Sequence, residues 1–254
     1  MTNQSEVFLG PSERLDDLQR KGYQLIQNTK IFCYGIDAML LAAYAKLPKN
    51  GTCVDLGCGN GVIPILMQAR YGGKRLVGLE IQDVNVDLAK RNVSLNHLEE
   101  SLEIVRGDIK EASSLLGKCA FDVVTSNPPY MDAGHGLTNP EDHKAIARHE
   151  ILCTLQDVIR EAAALLKNQG HFYMIHRPQR LVEMMQLMRE YHLEPKRIRF
   201  IHPFREKEAT MVLIDAVKGG NPQVRIEPPF IVYDAPGVYT EELMQVHHGD
   251  GNVF

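Results

Sequence analysis

The sequence predicts an α/β fold, a single mostly parallel sheet of about seven strands with helices on both faces. Three observations predict it. Short apolar runs that stop at glycine or polar residues alternate with stretches of helical periodicity. The 254 residues are enough for one large domain with a substantial core. The composition, 44% hydrophobic and 24% charged, is that of a globular chain and excludes a disordered, collagen-like or coiled-coil one. Right-handed crossovers between such strands put helices on both faces and leave ligands at the carboxyl ends of the strands.

The elements follow in order. Tyr34 to Lys46 reads as an amphipathic helix. Four buried strands are then expected at Thr52 to Leu56, Arg75 to Glu80, Leu102 to Val105 and Phe121 to Ser126, separated by helices at Val62 to Tyr71, Asp83 to Asn96 and Glu111 to Leu116. A helix over Leu152 to Leu166, a strand His171 to Ile175 and a helix from about Pro178 to Tyr191 continue the pattern. Two last strands, Arg197 to His202 and Thr210 to Val217, are joined by too short a turn for a parallel crossover, so the terminal strand is antiparallel. After Gly219 the segment NPQVRIEPPFIVYDAPGVY is too rich in Pro and Gly for a regular element. The expected division is an N-terminal extension over 1–33, a domain over 34–218 and a C-terminal extension over 219–254 that packs on the same domain.

Composition narrows the function classes. The longest apolar run, Ala38 to Ala45, falls short of the roughly 20 residues a bilayer requires, and the start MTNQSEVFLG has neither the basic nor the apolar region of a signal peptide, so a cytoplasmic place is expected. Five cysteines (Cys33, Cys53, Cys58, Cys119, Cys153) with no CxxC spacing fit reduced thiols, and neither they nor the ten histidines show metal spacing, so no metal is expected. Twenty-eight basic against 32 acidic residues give −4, which argues against indiscriminate coating of nucleic acid but leaves room for a local basic patch around Lys196, Arg197, Arg199, Arg205 and Lys207.

Two motifs carry chemistry. The first, Val54-Asp55-Leu56-Gly57-Cys58-Gly59-Asn60-Gly61, is a strand ending in a glycine turn that opens a helix, where a ligand can approach the backbone closely. A dinucleotide fingerprint needs glycine where Val62 stands, and Asp55 would repel a pyrophosphate, so the ligand should carry positive charge. Glu80, ending the second strand, can accept from the two hydroxyls of a ribose, and Asp108, after the third, from an exocyclic amine. Together Asp55, Gly57, Gly59, Gly61, Glu80 and Asp108 describe a site for an adenosine with a cationic tail and no phosphates, as in S-adenosylmethionine. At Asp55 to Gly61 the sequence resembles the class I, Rossmann-like methyltransferases, whose Asp-x-Gly-x-Gly-x-Gly signature is present in full. The likeness spans about residues 30 to 217, and the seven strands with a terminal hairpin fit that fold.

The second motif is Ser126-Asn127-Pro128-Pro129-Tyr130, directly after the fourth strand. Pro128 and Pro129 fix φ at two successive positions and hold Asn127 extended. A conjugated exocyclic amine is a poor nucleophile because its lone pair is delocalised, and acceptors can aim that pair at a methyl group. The Asn127 side-chain oxygen and the Pro128 carbonyl can each take one N–H, which favours the positive charge that grows on nitrogen. Asn127 would thereby stand between cofactor and substrate, and Tyr130 offers a face for the target ring. In this placement the motif resembles that of enzymes methylating planar nitrogen: adenine N6, guanine N2 and glutamine amides.

Outside the shared core, Arg14 to Leu18, Ile31 to Leu41 and Pro228 to Tyr233 are similar to the bacterial tRNA adenine N6-methyltransferases that act on the anticodon loop of valine tRNA, at the adenine after the anticodon. Ile36 stands where that group is expected to have Thr. The resemblance implies transfer of methyl from S-adenosylmethionine to adenine N6 of a tRNA. Asp37 fits either a place near the cofactor or a helix-start acid answering the macrodipole. The polar stretch Met131 to Glu150 is expected to be a flap over the target base. Arg148, Lys196, Arg197 and Arg199, with Lys144, Arg177 and Arg180, are candidate phosphate contacts. Two alternatives share some of these features. A protein glutamine methyltransferase acting on a release factor uses the same Asn-Pro-Pro-Tyr chemistry, but the roughly 30 residues before the first helix are few for its helical substrate domain. A cofactor-binding RNA adaptor without turnover would have no need of Asn127.

Overall fold

The computed structural model describes residues 8–30, 33–129, 153–248 and 254. Its centre is a nine-stranded sheet built around seven long strands. In chain order these are β3 (Thr52–Leu56), β4 (Arg75–Glu80), β5 (Leu102–Arg106), β6 (Phe121–Ser126), β7 (Leu166–His176), β8 (Leu193–His202) and β9 (Met211–Lys218). The spatial order is β5-β4-β3-β6-β7-β9-β8. Every pairing from β5 to β7 is parallel, and β9 runs antiparallel to both β7 and β8. The antiparallel strand thus lies one place in from the edge, and β8 again runs with β7. Two short strands, β10 (Arg225–Ile226) and β11 (Phe230–Ile231), extend the sheet by pairing parallel with β8.

The strands read as apolar runs because both faces are covered. Alternate residues feed two cores. Cys53, Val123, Tyr173, Ile175 and Leu213 pack beneath α1 (Ile36–Tyr44), α2 (Val62–Tyr71) and α3 (Asp83–Leu95). Val54, Leu79, Val124, Phe172 and Ile214 pack beneath α4 (Ala112–Leu116), α5 (Leu155–Leu165) and α6 (Leu181–Glu190). α5 opens on a capping box in which Thr154 and Asp157 bond each other's backbone N–H.

Several elements differ from the sequence expectation. β8 begins at Leu193 rather than Arg197, because the missing N–H of Pro195 falls at a register shift in the β8–β9 pairing, where a proline is tolerated. Residues 13–28, within the stretch expected only as an extension, form a hairpin of β1 (Glu13–Asp17) and β2 (Gln24–Asn28). Asn92, fully buried on α3, holds it there: its Oδ1 accepts from Ile26 N at 2.7 Å and its Nδ2 donates to Ile26 O at 3.1 Å.

The segment after Gly219 is not irregular throughout, which corrects the reading of its proline and glycine content. Besides β10 and β11 it forms the ribbon β12 (Tyr233–Ala235) and β13 (Val238–Tyr239) and ends in α7 (Glu241–His248). Leu243 and Val246 of α7 enter the same core as α1. Arg20 and Arg70 both donate to Val246 O at the end of that helix, at 2.9 and 2.6 Å. The five cysteines are all free. Among the described residues, no helix is long and apolar enough to cross a membrane.

Candidate active site

The chain runs β3, β4, β5 toward one edge and then returns to β6 on the other side of β3. That reversal leaves a crevice at the carboxyl ends of β3 and β6, the place where open parallel sheets bind ligands. Asp55 near the end of β3 and Asn127 just past β6 face it from its two sides, since the register pairs Asp55 with Thr125 and Leu56 with Ser126.

The glycine turn after β3 is shaped by positive φ at Gly57 (+78°), Gly59 (+54°) and Gly61 (+84°), a backbone that favours glycine. Gly57 and Cys58 donate to Leu79 O of β4 at 2.9 and 3.0 Å, and Gly61 caps α2. A Cβ at Gly59 would meet nothing within 4 Å, so this stretch of backbone borders open space.

Around the turn the three carboxylates differ in what they already hold. Glu80 ties the turn to β4: its Oε2 accepts from Gly59 N at 2.9 Å, and its Oε1 from Ile81 N at 2.9 Å and Gln82 N at 2.8 Å. A carboxylate has about four lone-pair sites, so Glu80 keeps capacity for about one further donor, fewer than the two ribose hydroxyls expected of it. Asp108 caps the short turn Ile109–Glu111, accepting from Lys110 N at 2.9 Å, and pairs with Lys110 Nζ at 3.5 Å. Asp55 is different. It is 1% exposed, its Oδ1 accepts from Thr125 Oγ1 at 2.7 Å, and its Oδ2 is buried with no hydrogen-bond partner among the described residues. Burial pushes its carboxyl up to about 7, against the Thr125 hydroxyl, which pulls the other way; the nearby Glu80 adds to the rise. An orphaned carboxylate oxygen beside an open glycine turn fits a cofactor that brings an ammonium donor, as the methionine end of S-adenosylmethionine does.

On the other wall, Ser126 Oγ donates to Leu56 O at 3.0 Å, locking the end of β6 to β3 before the two prolines. Asn127 Nδ2 donates to Asp37 Oδ2 at 3.0 Å. Asp37, left open between two readings by the sequence, is therefore joined to the acceptor motif. Tyr130 and Arg148, with Lys144 and the proposed flap, lie outside the described residues.

The basic cluster is dispersed. Arg197 donates to Asp215 Oδ2 at 3.0 Å and Glu227 Oε1 at 3.2 Å and lies 4.5 Å over the Tyr44 ring, a setting that raises its pKa despite the cost of burial. Arg199, 8% exposed, donates to Pro228 O and Glu242 Oε1 and lies 5.2 Å from the Phe230 ring centre and 4.9 Å from that of Phe254, two rings that stack on each other. Both side chains, expected from the sequence as phosphate contacts, tie the C-terminal extension to the sheet. Lys196 reaches Asn221 O at 2.9 Å, and Arg180 pairs with Glu183. Arg205 and Lys207 of the same cluster are exposed, in the loop after β8, on the edge of the sheet where Asn127 lies.

Sequence reasoning passed over Thr125, whose signal was a hydroxyl inside an apolar strand beside Asp55. It also passed over Ile81 and Ile109, apolar residues that directly follow Glu80 and Gly107-Asp108 and could border a flat ring.

The chain is similar to solved methyltransferase structures and to curated relatives. A crystal structure of a predicted O-methyltransferase from Agrobacterium tumefaciens superposes with a TM-score of 0.69 at 22% identity, covering 85% of this chain and 97% of that one. Geranyl diphosphate C-methyltransferase from Streptomyces coelicolor A3(2) gives 0.54 at 16% identity over 71% and 79%. Among curated relatives, a tRNA1(Val) (adenine(37)-N6)-methyltransferase of Porphyromonas gingivalis is 29% identical over 84% of this chain and 86% of the relative. One of Aeromonas salmonicida with the same name is 25% identical over 84% and 88%. The methyltransferase small domain family matches residues 22–194, and the chain belongs to it: it is a methyltransferase whose cofactor is S-adenosylmethionine.

Proposed function

We infer that the chain methylates the exocyclic N6 amine of an adenine in the anticodon loop of a tRNA, in the cytoplasm. The observation that carries this reading is the placement of Asn127-Pro128-Pro129 across the crevice from Asp55 and the glycine turn. It is supported by relatives named for tRNA adenine-N6 methylation that match most of the chain.

Asp55 Oδ2 and the backbone from Gly57 to Gly61 would hold the cofactor's methionine end, Glu80 one ribose hydroxyl, and Asp108 the adenine amine. When bound there, S-adenosylmethionine supplies an electrophilic methyl group whose bond pair stays on sulfur as the substrate nitrogen's lone pair makes the new bond. Asn127, whose Nδ2 donates to Asp37, would accept one N–H of the substrate amine on its Oδ1. The Pro128 carbonyl takes the other N–H, and Tyr130 stacks on the purine. Two acceptors on the amine localise its lone pair and favour the positive charge that develops on nitrogen, which then loses a proton to solvent. A loop adenine is partly unstacked already, so little energy is needed to bring it in. Arg205 and Lys207, both exposed, would meet the loop's phosphates.

A synthetic anticodon stem–loop of valine tRNA tests the reading against a copy in which purine, lacking the amine, replaces the adenine after the anticodon. Methyl transfer to the first and none to the second is expected. Equal transfer to both would move the reaction to another atom.

A further inference from the structure

Neither motif contains Asp37, yet the structure joins its carboxylate to the residue on which amine recognition depends. We propose that Asp37 is a positioning residue for methyl transfer, holding the nitrogen end of the Asn127 amide so that the oxygen end is turned to the substrate amine. This rests on the reading of Asn127 as an amine acceptor given above.

The bond spans 90 positions of sequence: Asp37 Oδ2 accepts from Asn127 Nδ2 at 3.0 Å, while Asp37 Oδ1 accepts from the backbone N–H of Ala38 at 2.9 Å. The carboxylate is 9% exposed and stands in the first turn of α1, whose Leu40 and Leu41 are fully buried, so the helix fixes its position. An acid answering only the helix macrodipole needs neither burial nor a distant amide. Gly35 makes room for this arrangement, because a Cβ there would lie 2.9 Å from Asp37 Oδ1.

The chemical reason is the symmetry of an amide. Its oxygen and nitrogen ends have nearly the same shape, so two orientations half a turn apart fill one space. Only one of them serves here. With nitrogen toward the substrate, a donor meets a donor and the amine is repelled. A carboxylate accepts and does not donate, so Asp37 selects the useful orientation and polarises the amide, making Oδ1 a stronger acceptor.

The test uses the full chain with tRNA and S-adenosylmethionine, comparing Asp37→Ala, Asp37→Asn, Asn127→Ala and the double variant. Asp37→Ala is expected to lower kcat by about 10- to 100-fold, in the range for residues that orient a reacting group through another. Its affinity for S-adenosylhomocysteine, read by calorimetry, should stay within about a factor of two, because the proposed role is exerted on the substrate amine through Asn127. Asp37→Asn, able to present either end of its own amide, should fall in between. In the Asn127→Ala background the Asp37→Ala change should cost nothing further, a non-additivity that a purely structural role would not produce. Full turnover by Asp37→Ala, an equal fold loss in both backgrounds, or a loss of cofactor affinity that accounts for the fall in rate would each overturn the proposal.

A readout that needs no substrate separates this proposal from the functional reading. The side-chain amide of Asn127, followed by nitrogen–proton NMR, should be protected from solvent exchange in the unmodified chain and lose that protection in Asp37→Ala. Unchanged protection overturns the proposal even if tRNA methylation is established. If the unmodified chain methylates no tRNA adenine while protection behaves as expected, the substrate assignment fails and the positioning role stands.

Discussion

Asp55 and Asn127 hold opposite walls of the crevice and should respond to different experiments. Folding raises the Asp55 carboxyl from 3.8 to about 7, so below that pH the chain without cofactor favours the neutral acid. The sign follows: its favourable contribution to stability is complete below about 4 and is lost as the pH rises through about 7. A ligand that donates to Oδ2 prefers the carboxylate, so binding expels a proton below that pH. Affinity for S-adenosylhomocysteine should therefore rise roughly tenfold between pH 6 and 8, and Asp55→Asn should flatten the profile. A flat profile in the unmodified chain would remove Asp55 from the cofactor site. Asn127→Ala should lower kcat by about a hundredfold or more while leaving cofactor affinity nearly unchanged, which single-turnover kinetics and calorimetry separate. Surviving turnover would contradict the assignment. The positions of Asp55, Glu80 and Asn127 were legible because their motifs fix them at strand ends. That the Glu80 oxygens are spent on three backbone N–H groups depends on how tightly the turn folds back.

Elements were legible where a strand is buried on both faces and obscure where a short segment leans on distant partners. The parallel strands from Thr52 to Ser126 announce themselves as apolar runs, but β1 and β2 are held by side chains far along the chain: Asn92 on Ile26, Asn96 on Gln24 and Arg91 on Glu13. Asn92→Ala would leave Ile26 N–H and C=O, together with Asn60 O, without their partner. The expected cost is about 2–3 kcal/mol, measured as a fall in the denaturant midpoint with unchanged slope. Destabilisation below half of that would mean water replaces the amide. Likewise α7 has only Leu243 and Val246 as deep anchors, too few to stand out amid Pro and Gly. The cluster at 196–207 is dispersed for a geometric reason. Alternation along β8 puts Arg197 and Arg199 on the same face, toward Asp215, Tyr44 and Phe230, and sequence adjacency to Lys196 says nothing of that.

At the scale of the whole molecule, the sheet brings Asp55, the glycine turn and Asn127 to one topological switch and sets the exposed Arg205 and Lys207 farther along the same edge. If Arg205 and Lys207 meet RNA phosphates, replacing both by Ala should weaken tRNA binding and reduce the magnitude of the slope of log K against log salt by about 1.5. Arg197→Met and Arg199→Met should leave that slope unchanged and lower the melting temperature instead, since both side chains pair inside the fold. The reverse pattern would restore the strand arginines to the RNA interface. The most direct measurement incubates the purified chain with isotopically labelled S-adenosylmethionine and total bacterial tRNA, digests the RNA and resolves its nucleosides by mass. Label in N6-methyladenosine is the predicted result. Its absence, with label instead in a glutamine of a co-incubated release factor, would contradict the tRNA assignment while keeping the fold and the cofactor.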